Sequence, residues 1–85
     1  MIPERTLDSI NNYVQEGIPP GHFVQAVLEN NLFEAFARGD EGNLEALLEI
    51  IEYVYNHIPA KCWGSQEKVR LWLEKSEMVR NLLTS

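Results

Sequence analysis

The strongest pattern in the chain lies between Asp40 and Pro59. Apolar residues recur there at steps of three and four, which places them on one side of an α-helix. They are Leu44, Leu47, Leu48, Ile51, Val54, Tyr55 and Ile58. Because an apolar side of this width must be covered, the segment predicts the central element of a helical protein.

Three shorter helices are predicted before this segment. The first covers residues 3–16 and ends at Gly17, which can adopt the left-handed conformation that closes a helix. Pro19 and Pro20 then prevent continuation and make a rigid corner. The second covers residues 22–29 and is apolar nearly all round, so we expect it at the centre of the fold.

Paired asparagines separate the second helix from the third. Asn30 suits a left-handed stop, and Asn31 with Glu34 three residues later is typical of a helix N-cap with its partner. The third helix is predicted over residues 32–38. Its apolar side consists of Leu32, Phe33, Ala35 and Phe36.

The fourth helix is the central segment itself, with Asp40 as its N-cap and Pro59 as its stop. Ser65 is a suitable N-cap for a fifth helix, which extends to about residue 83 or ends near Lys75 and leaves a frayed tail over residues 76–85. No alternating strand pattern or repeat interrupts this series. The sequence therefore predicts one all-α domain over residues 1–85, a compact bundle of four to five helices.

Composition supports a folded domain with a modest core. Apolar residues make up 45% of the chain and charged residues 24%, as in ordinary globular domains. With 85 residues the core is small, so pairing with a second copy is an open alternative. The net charge of −6 is concentrated in residues 29–60, which carry seven acids and one arginine, whereas residues 61–85 carry five bases and three acids.

Four glutamates follow the fourth helix at steps of four, four and three, on the side predicted to lie opposite its leucines: Glu41, Glu45, Glu49 and Glu52. One interpretation is a solvated side that keeps the protein soluble. The other is a surface that docks on a basic protein partner, with attraction that steers association. Trp63 and Trp72 are candidate apolar anchors of the same contact, because aromatic side chains dominate interface energies.

Metal and catalytic chemistry have little support in the sequence. His22, His57 and Cys62 lack the two close ligand pairs typical of a zinc site. Cys62 with His57 would be a minimal thiol nucleophile and base, but no third group that would orient the base can be identified. We therefore predict no catalytic residue, metal or cofactor, and interpret the lone cysteine as a small buried side chain of a protein in a reducing cytoplasm.

Nucleic-acid binding is the competing hypothesis, with the second and third helices as a helix-turn-helix. The acidic middle of the chain disfavours it, since Lys and Arg supply most of the affinity for phosphates. The first nine residues lack the apolar run of a signal peptide, and no stretch approaches the ~20 apolar residues of a membrane span. We expect a cytoplasmic protein that contacts neither membrane nor nucleic acid.

Several short motifs carry a resemblance to one family. They are residues 18–23 (IPPGHF), 26–32 (AVLENNL), Tyr55-Asn56 with Pro59, and 62–65 (CWGS), followed by Lys68-Val69 and Trp72-Leu73. In order and spacing, residues 18–74 resemble a group of small uncharacterised proteins of tailed bacteriophages and prophages. The resemblance implies a phage-type accessory protein in the cytoplasm of a bacterial host, and it carries over no catalytic residue. Together with the acidic surface, it predicts a non-enzymatic protein that binds a bacterial or phage protein.

Overall fold

The computed structural model describes residues 1–84, and within them the chain forms six α-helices and no strand. The helices are α1 (Glu4–Glu16), α2 (His22–Leu28), α3 (Leu32–Arg38), α4 (Glu41–Glu45), α5 (Leu47–His57) and α6 (Gln66–Thr84), with a 3-10 turn at Ala60–Cys62. The predicted all-α fold is confirmed. The count rises to six because the fourth predicted helix is interrupted. Residue 85, the last of the predicted tail, lies outside the described residues.

The corner between α1 and α2 depends on Gly17. Its φ of 66° is left-handed, and its N–H donates to the Tyr13 carbonyl at 3.0 Å. The Ile18 N–H donates to the Asn12 carbonyl at 3.4 Å and completes the predicted cap. A Cβ at Gly17 would lie 2.1 Å from the Cβ of Ser76. Helix α6 therefore crosses this corner at a distance that only glycine permits.

The turn between α2 and α3 also follows the prediction. Asn30 has a φ of 62°, and the Asn31 side chain accepts a hydrogen bond from the Glu34 N–H at 3.3 Å. The predicted caps Asp40 and Ser65 likewise accept from the backbone N–H three residues later, at 2.9 and 3.1 Å. Local side-chain chemistry thus sets the starts of α3, α4 and α6.

The fourth predicted helix is interrupted at Ala46, where a ψ of 7° departs from helical geometry. Gly42 and Asn43, just before the interruption, are weak helix formers. Asn43 is also buried, and its Oδ1 accepts a hydrogen bond from the Thr6 hydroxyl at 2.5 Å. This contact ties α4 to α1 just before the interruption.

The prediction that one apolar side of this segment is covered is wrong for three of its residues. Leu48, Ile51 and Tyr55 are exposed to 69, 43 and 71%, whereas Ile50, which the pattern left out, is fully buried. The buried positions are Asn43, Ala46, Ile50, Val54 and Ile58. They recur at steps of three and four from Asn43, so the buried side is rotated from the predicted one and shares Val54 and Ile58 with it.

The core lies between α1, α2, α5 and the start of α6. Tyr13 is fully buried at its centre, and its hydroxyl donates to the Cys62 carbonyl at 2.8 Å. The Trp72 indole N–H donates to the Tyr13 carbonyl at 3.0 Å, which joins α6 to α1. Burial, followed by the nearby Cys62 and Glu29, raises the pKa of Tyr13 far above its usual value, so this hydroxyl stays a donor.

Helix α6 continues through the region for which the sequence left two alternatives, and it ends at Thr84. Val69 is buried, Trp72, Leu73 and Ser76 are half-buried, and every side chain over residues 77–83 is exposed. The second half of α6 therefore lies at the surface. Within residues 1–84, no helix combines the length and apolar content that crossing a membrane requires.

Candidate functional site

An apolar groove opens between α5 and the turn that joins α2 to α3. Its volume is about 120 Å³. Buried Ala35 and Val54 contribute to its lining, together with the exposed side chains of Leu32, Ile51 and Tyr55. An apolar cavity of ~150 Å³ is enough to hold a benzene ring. The groove can therefore accept about one large apolar side chain of a partner.

Exposed apolar side chains extend this groove over the surfaces of α3 and α5. Phe33 and Phe36 are 86 and 67% exposed. Helical spacing makes Leu32 a neighbour of Phe36 on α3, and on α5 it makes Leu48 a neighbour of Ile51. We call the exposed set the α3–α5 surface: Leu32, Phe33, Phe36, Leu48, Ile51 and Tyr55.

An acidic edge borders this surface along α5. Glu52 is exposed and lies four residues after Leu48 on α5, so the two are neighbours on the helix surface. Glu45 is exposed at the end of α4, three residues before Leu48 in the chain and across the interruption at Ala46. The sequence predicted that the glutamates lie opposite the leucines. This prediction is wrong for Leu48, because the buried side of α5 is centred on Ile50 and leaves Leu48 exposed. Acidic and apolar side chains thus form one continuous surface.

The other two predicted glutamates have different surroundings. Glu41 is exposed and begins α4. Glu49 is exposed and accepts a hydrogen bond from the N-terminal ammonium of Met1 at 2.8 Å. The four glutamates are therefore not equivalent, and Glu52 is the one that helical spacing on α5 places between the exposed Leu48 and Tyr55.

The two tryptophans lie in different places. Trp63 lines the groove, its ring centroid is 6.0 Å from that of Tyr55, and its indole N–H donates to the Ile58 carbonyl at 3.0 Å. Trp72 lies between α1 and α6, where the ammonium of Lys61 is 5.4 Å from its ring centroid. Trp63 thus belongs to the candidate site, whereas Trp72 joins two helices.

Cys62 and His57 have different environments. Cys62 is fully buried, and burial raises the pKa of its thiol, although the neighbouring Lys61 opposes this shift. His57 is exposed at the end of α5, with its ring 5.1 Å from that of Tyr53. A nucleophilic cysteine needs an accessible thiolate, and this environment favours neither access nor ionisation.

We expect native Cys62 to react with iodoacetamide about 100-fold more slowly than the same thiol in the unfolded chain, because reaction requires a transient opening. The measurement is the alkylation rate by mass spectrometry at neutral pH, with and without guanidinium. The double variant Ala60→Cys/Cys62→Ala is the matched control, since residue 60 is exposed and its thiol should react rapidly. Equal native rates for the two proteins would contradict the burial of Cys62.

Helix α3 does not have the charge of a DNA-reading helix. Its single arginine, Arg38, pairs with Glu34 at 3.2 Å. Its exposed side chains include Leu32, Phe33 and Phe36. An apolar outer side is suited to a protein surface rather than to phosphates, which are contacted by Lys, Arg and polar donors.

All four glutamates of the predicted row are exposed, but they are divided between α4 and α5, and the sequence did not predict the groove. One signal was available for α3, where Leu32, Phe33, Ala35 and Phe36 together span about 160°, wider than the roughly 100° stripe that faces a core. Among residues 1–84, no group of three or more His, Cys, Asp and Glu residues is arranged to hold a metal ion. The chain matches no family model, no curated protein and no solved structure.

Proposed function

We propose that this chain is a non-enzymatic protein-interaction module that binds a basic amphipathic helix on the α3–α5 surface. The observation that carries the proposal is the groove at its centre, which is apolar and open to solvent, while Glu52 lies beside the exposed Leu48 on the same surface. Helix-in-groove recognition uses this combination, with apolar anchors at helical spacing and charges at the rim. Trp63 and Tyr55 would contact the anchor.

The extent of the exposed apolar surface supports this proposal. The six residues of the α3–α5 surface are between 43 and 86% exposed and together present several hundred Å². Soluble monomers rarely expose contiguous apolar patches larger than a few hundred Å². Patches that exceed this size mark interaction sites. A specific interface covers about 800 Å² on each partner, so this surface would supply much of one side.

The charge distribution indicates which helices would bind. Residues 29–60 carry a net charge of −6, and Glu52 adjoins the apolar surface. A basic helix would be attracted before contact and oriented by these acidic side chains, whereas an acidic helix with the same apolar face would be repelled. Binding should therefore weaken as the salt concentration rises.

The resemblance to small phage and prophage proteins supports a biological setting for this proposal. In that setting the chain is an accessory protein of a phage in a bacterial cytoplasm, and its partner is a phage or host protein. The chemistry of this surface specifies only the kind of partner, which is a protein with an amphipathic helix whose polar side is basic.

A labelled leucine–lysine helical peptide tests the proposal by fluorescence anisotropy. We expect micromolar affinity that falls at least tenfold between about 50 and 300 mM salt, and no binding of a leucine–glutamate peptide of the same length. Glu45→Gln/Glu52→Gln should weaken binding about tenfold. The matched control is Glu4→Gln/Glu16→Gln on α1, which changes the net charge equally and should bind like the unmodified chain.

Two outcomes would overturn the proposal. The first is equal weakening by both pairs of substitutions, which would indicate a response to net charge alone. The second is unchanged binding by Tyr55→Ser, since this exposed side chain lines the groove. A parallel titration with duplex DNA at low salt tests the alternative, which is a nucleic-acid-binding regulator. That alternative requires DNA binding that falls steeply with added salt.

A further inference from the structure

A second cavity opens between the end of α1, the 3-10 turn and α6. Its volume is about 410 Å³, within the ~300–1,000 Å³ that small-molecule sites occupy. We call it the α1–α6 cleft. Its lining includes four apolar side chains: Val14, Trp72, Val79 and Leu83. The cleft shares no residue with the groove or with the α3–α5 surface, so it is a separate candidate site.

Positive charge is concentrated around the α1–α6 cleft. The bases that line it are Lys61, Lys75 and Arg80. The Lys61 ammonium lies 5.4 Å from the ring centroid of Trp72, and the Arg80 guanidinium donates to the Gly17 carbonyl at 3.3 Å. Glu16 is the one acid among the described residues of the lining, whose side chains therefore carry a net charge of +2. Because the whole chain has a net charge of −6, this local excess of bases distinguishes the cleft.

Helix α6 separates its bases from its acids around Trp72. At about 100° per residue, Lys68, Lys75 and Arg80 lie within about 80° of Trp72 on the helix surface. The three acids of the helix lie about 140–160° away from Trp72. They are Glu67, Glu74 and Glu77. The acids of α6 therefore face away from the cleft and leave the charge of its bases uncompensated.

The lysines of this cluster have no acidic partner. Within residues 1–84, no carboxylate forms an ion pair with Lys61, Lys68 or Lys75. Three arginines elsewhere in the chain do have such partners: Arg5, Arg38 and Arg70. The Lys68 ammonium instead donates to the Ala60 carbonyl at 3.3 Å, next to Lys61. A chain rich in acids thus collects three ammonium groups without carboxylate partners on one side of α6.

We propose that the α1–α6 cleft binds a small phosphate-bearing ligand with an apolar ring, the chemistry of a nucleotide. Ammonium groups bind phosphate oxygens as point charges, which assigns the phosphates to Lys61 and Lys75. The ring packs against Trp72 and Val79, because stacking on an aromatic side chain suits any flat ring. The inference goes beyond the proposed function, since it uses the opposite charge and a different part of the molecule.

A nuclear magnetic resonance titration of the full chain with metal-free ATP tests the site. The indole N–H signal of Trp72 should shift with a dissociation constant of about 0.1–1 mM at low salt, as expected for exposed charges. The indole signal of Trp63 is an internal control, because Trp63 lies in the groove and should not respond. A shift at Trp63 without a shift at Trp72 would overturn the assignment to this cleft.

Two fragments of the ligand separate the roles of charge and ring. Adenosine lacks the phosphates and tripolyphosphate lacks the ring, so each should bind at least about tenfold more weakly than ATP. Adenosine that bound as tightly as ATP would overturn the role of the lysines. Tripolyphosphate that bound as tightly would overturn the contact with the ring.

Charge-neutralising variants test which bases hold the phosphates. Lys61→Gln/Lys75→Gln should weaken ATP at least about tenfold, because two ammonium groups are lost from the cleft. The matched control is Arg38→Gln/Arg70→Gln, which changes the net charge equally at exposed positions outside the cleft and should bind ATP like the unmodified chain. Equal weakening by the two pairs would indicate a response to net charge alone and would overturn the site.

Single-stranded oligonucleotides provide the last comparison. A site for a small ligand predicts that an oligothymidine binds no more tightly than ATP and that its affinity does not rise with length. Affinity that increases steadily with the number of nucleotides is typical of a surface that follows a nucleic-acid backbone. That result would overturn the small ligand and assign the same lysines to a nucleic acid.

Discussion

Replacement of Gly17 by alanine is expected to lower the free energy of unfolding by about 2–5 kcal/mol. Two costs add at this position. A residue with a Cβ pays about 1–2 kcal/mol to hold a left-handed backbone, and the φ of Gly17 is 66°. Its Cβ would also lie 2.1 Å from the Cβ of Ser76, so α6 would have to move, and overpacking of this kind costs a further ~1–3 kcal/mol.

Gly21→Ala is the matched control for this experiment. Gly21 lies in the same corner with a φ of −67°, and a Cβ there would have no atom within 4 Å. Urea unfolding followed by circular dichroism should show a loss of at most about 1 kcal/mol for this control, the cost of alanine at the N-cap of α2. A loss at Gly21 as large as that at Gly17 would contradict the close approach of α6 to the corner.

A second substitution separates the two costs at Gly17. Ser76→Gly removes the Cβ that an alanine would meet, so its effect in combination with Gly17→Ala should be less than additive. Ser76→Ala keeps that Cβ and removes only the Oγ, 2.5 Å from the added Cβ, so its effect should be closer to additive than that of Ser76→Gly. The comparison matters for function, because the corner at Gly17 also accepts a hydrogen bond from Arg80 at 3.3 Å and so helps to position the outer half of α6.

Helix ends were predictable from the sequence because they depend on contacts over a few residues. Gly17 and Asn30 adopt the left-handed backbone that their side chains permit, and Asn31, Asp40 and Ser65 cap the following helices. None of these contacts requires knowledge of how the helices pack. The all-α class follows from the same local information together with the absence of alternating strands.

The direction in which α5 faces was not predictable in this way. Leu47, Leu48, Ile50 and Ile51 are all apolar, so spacing alone permits two neighbouring sides to be buried. A contact between distant parts of the chain favours one of them, since Thr6 bonds to the buried Asn43 across 37 positions. The exposure of the four glutamates of the candidate site was predictable, because charged side chains on a helix face water unless they are paired. The apolar groove of this site depends on this packing and was not predictable.

The neighbouring isoleucines of α5 provide the sharpest test of this orientation. Ile50 is fully buried and Ile51 is 43% exposed beside the groove. Ile50→Ala should lower the free energy of unfolding by about 2–5 kcal/mol, because it removes buried methyl groups and leaves a cavity. Ile51→Ala should cost less, about 1 kcal/mol, because nearly half of its side chain is already exposed.

The same pair also separates stability from binding. Ile51→Ala should weaken the leucine–lysine peptide several-fold with little loss of stability, because its side chain meets the partner rather than the core. Ile50→Ala should leave the peptide affinity of the folded fraction nearly unchanged while shifting the urea midpoint. Both substitutions make the same chemical change one residue apart in one helix, so helix propensity cancels in the comparison. A larger loss of stability at Ile51 than at Ile50 would mean that Leu48, Ile51 and Tyr55 face the core, and the α3–α5 surface would then not exist.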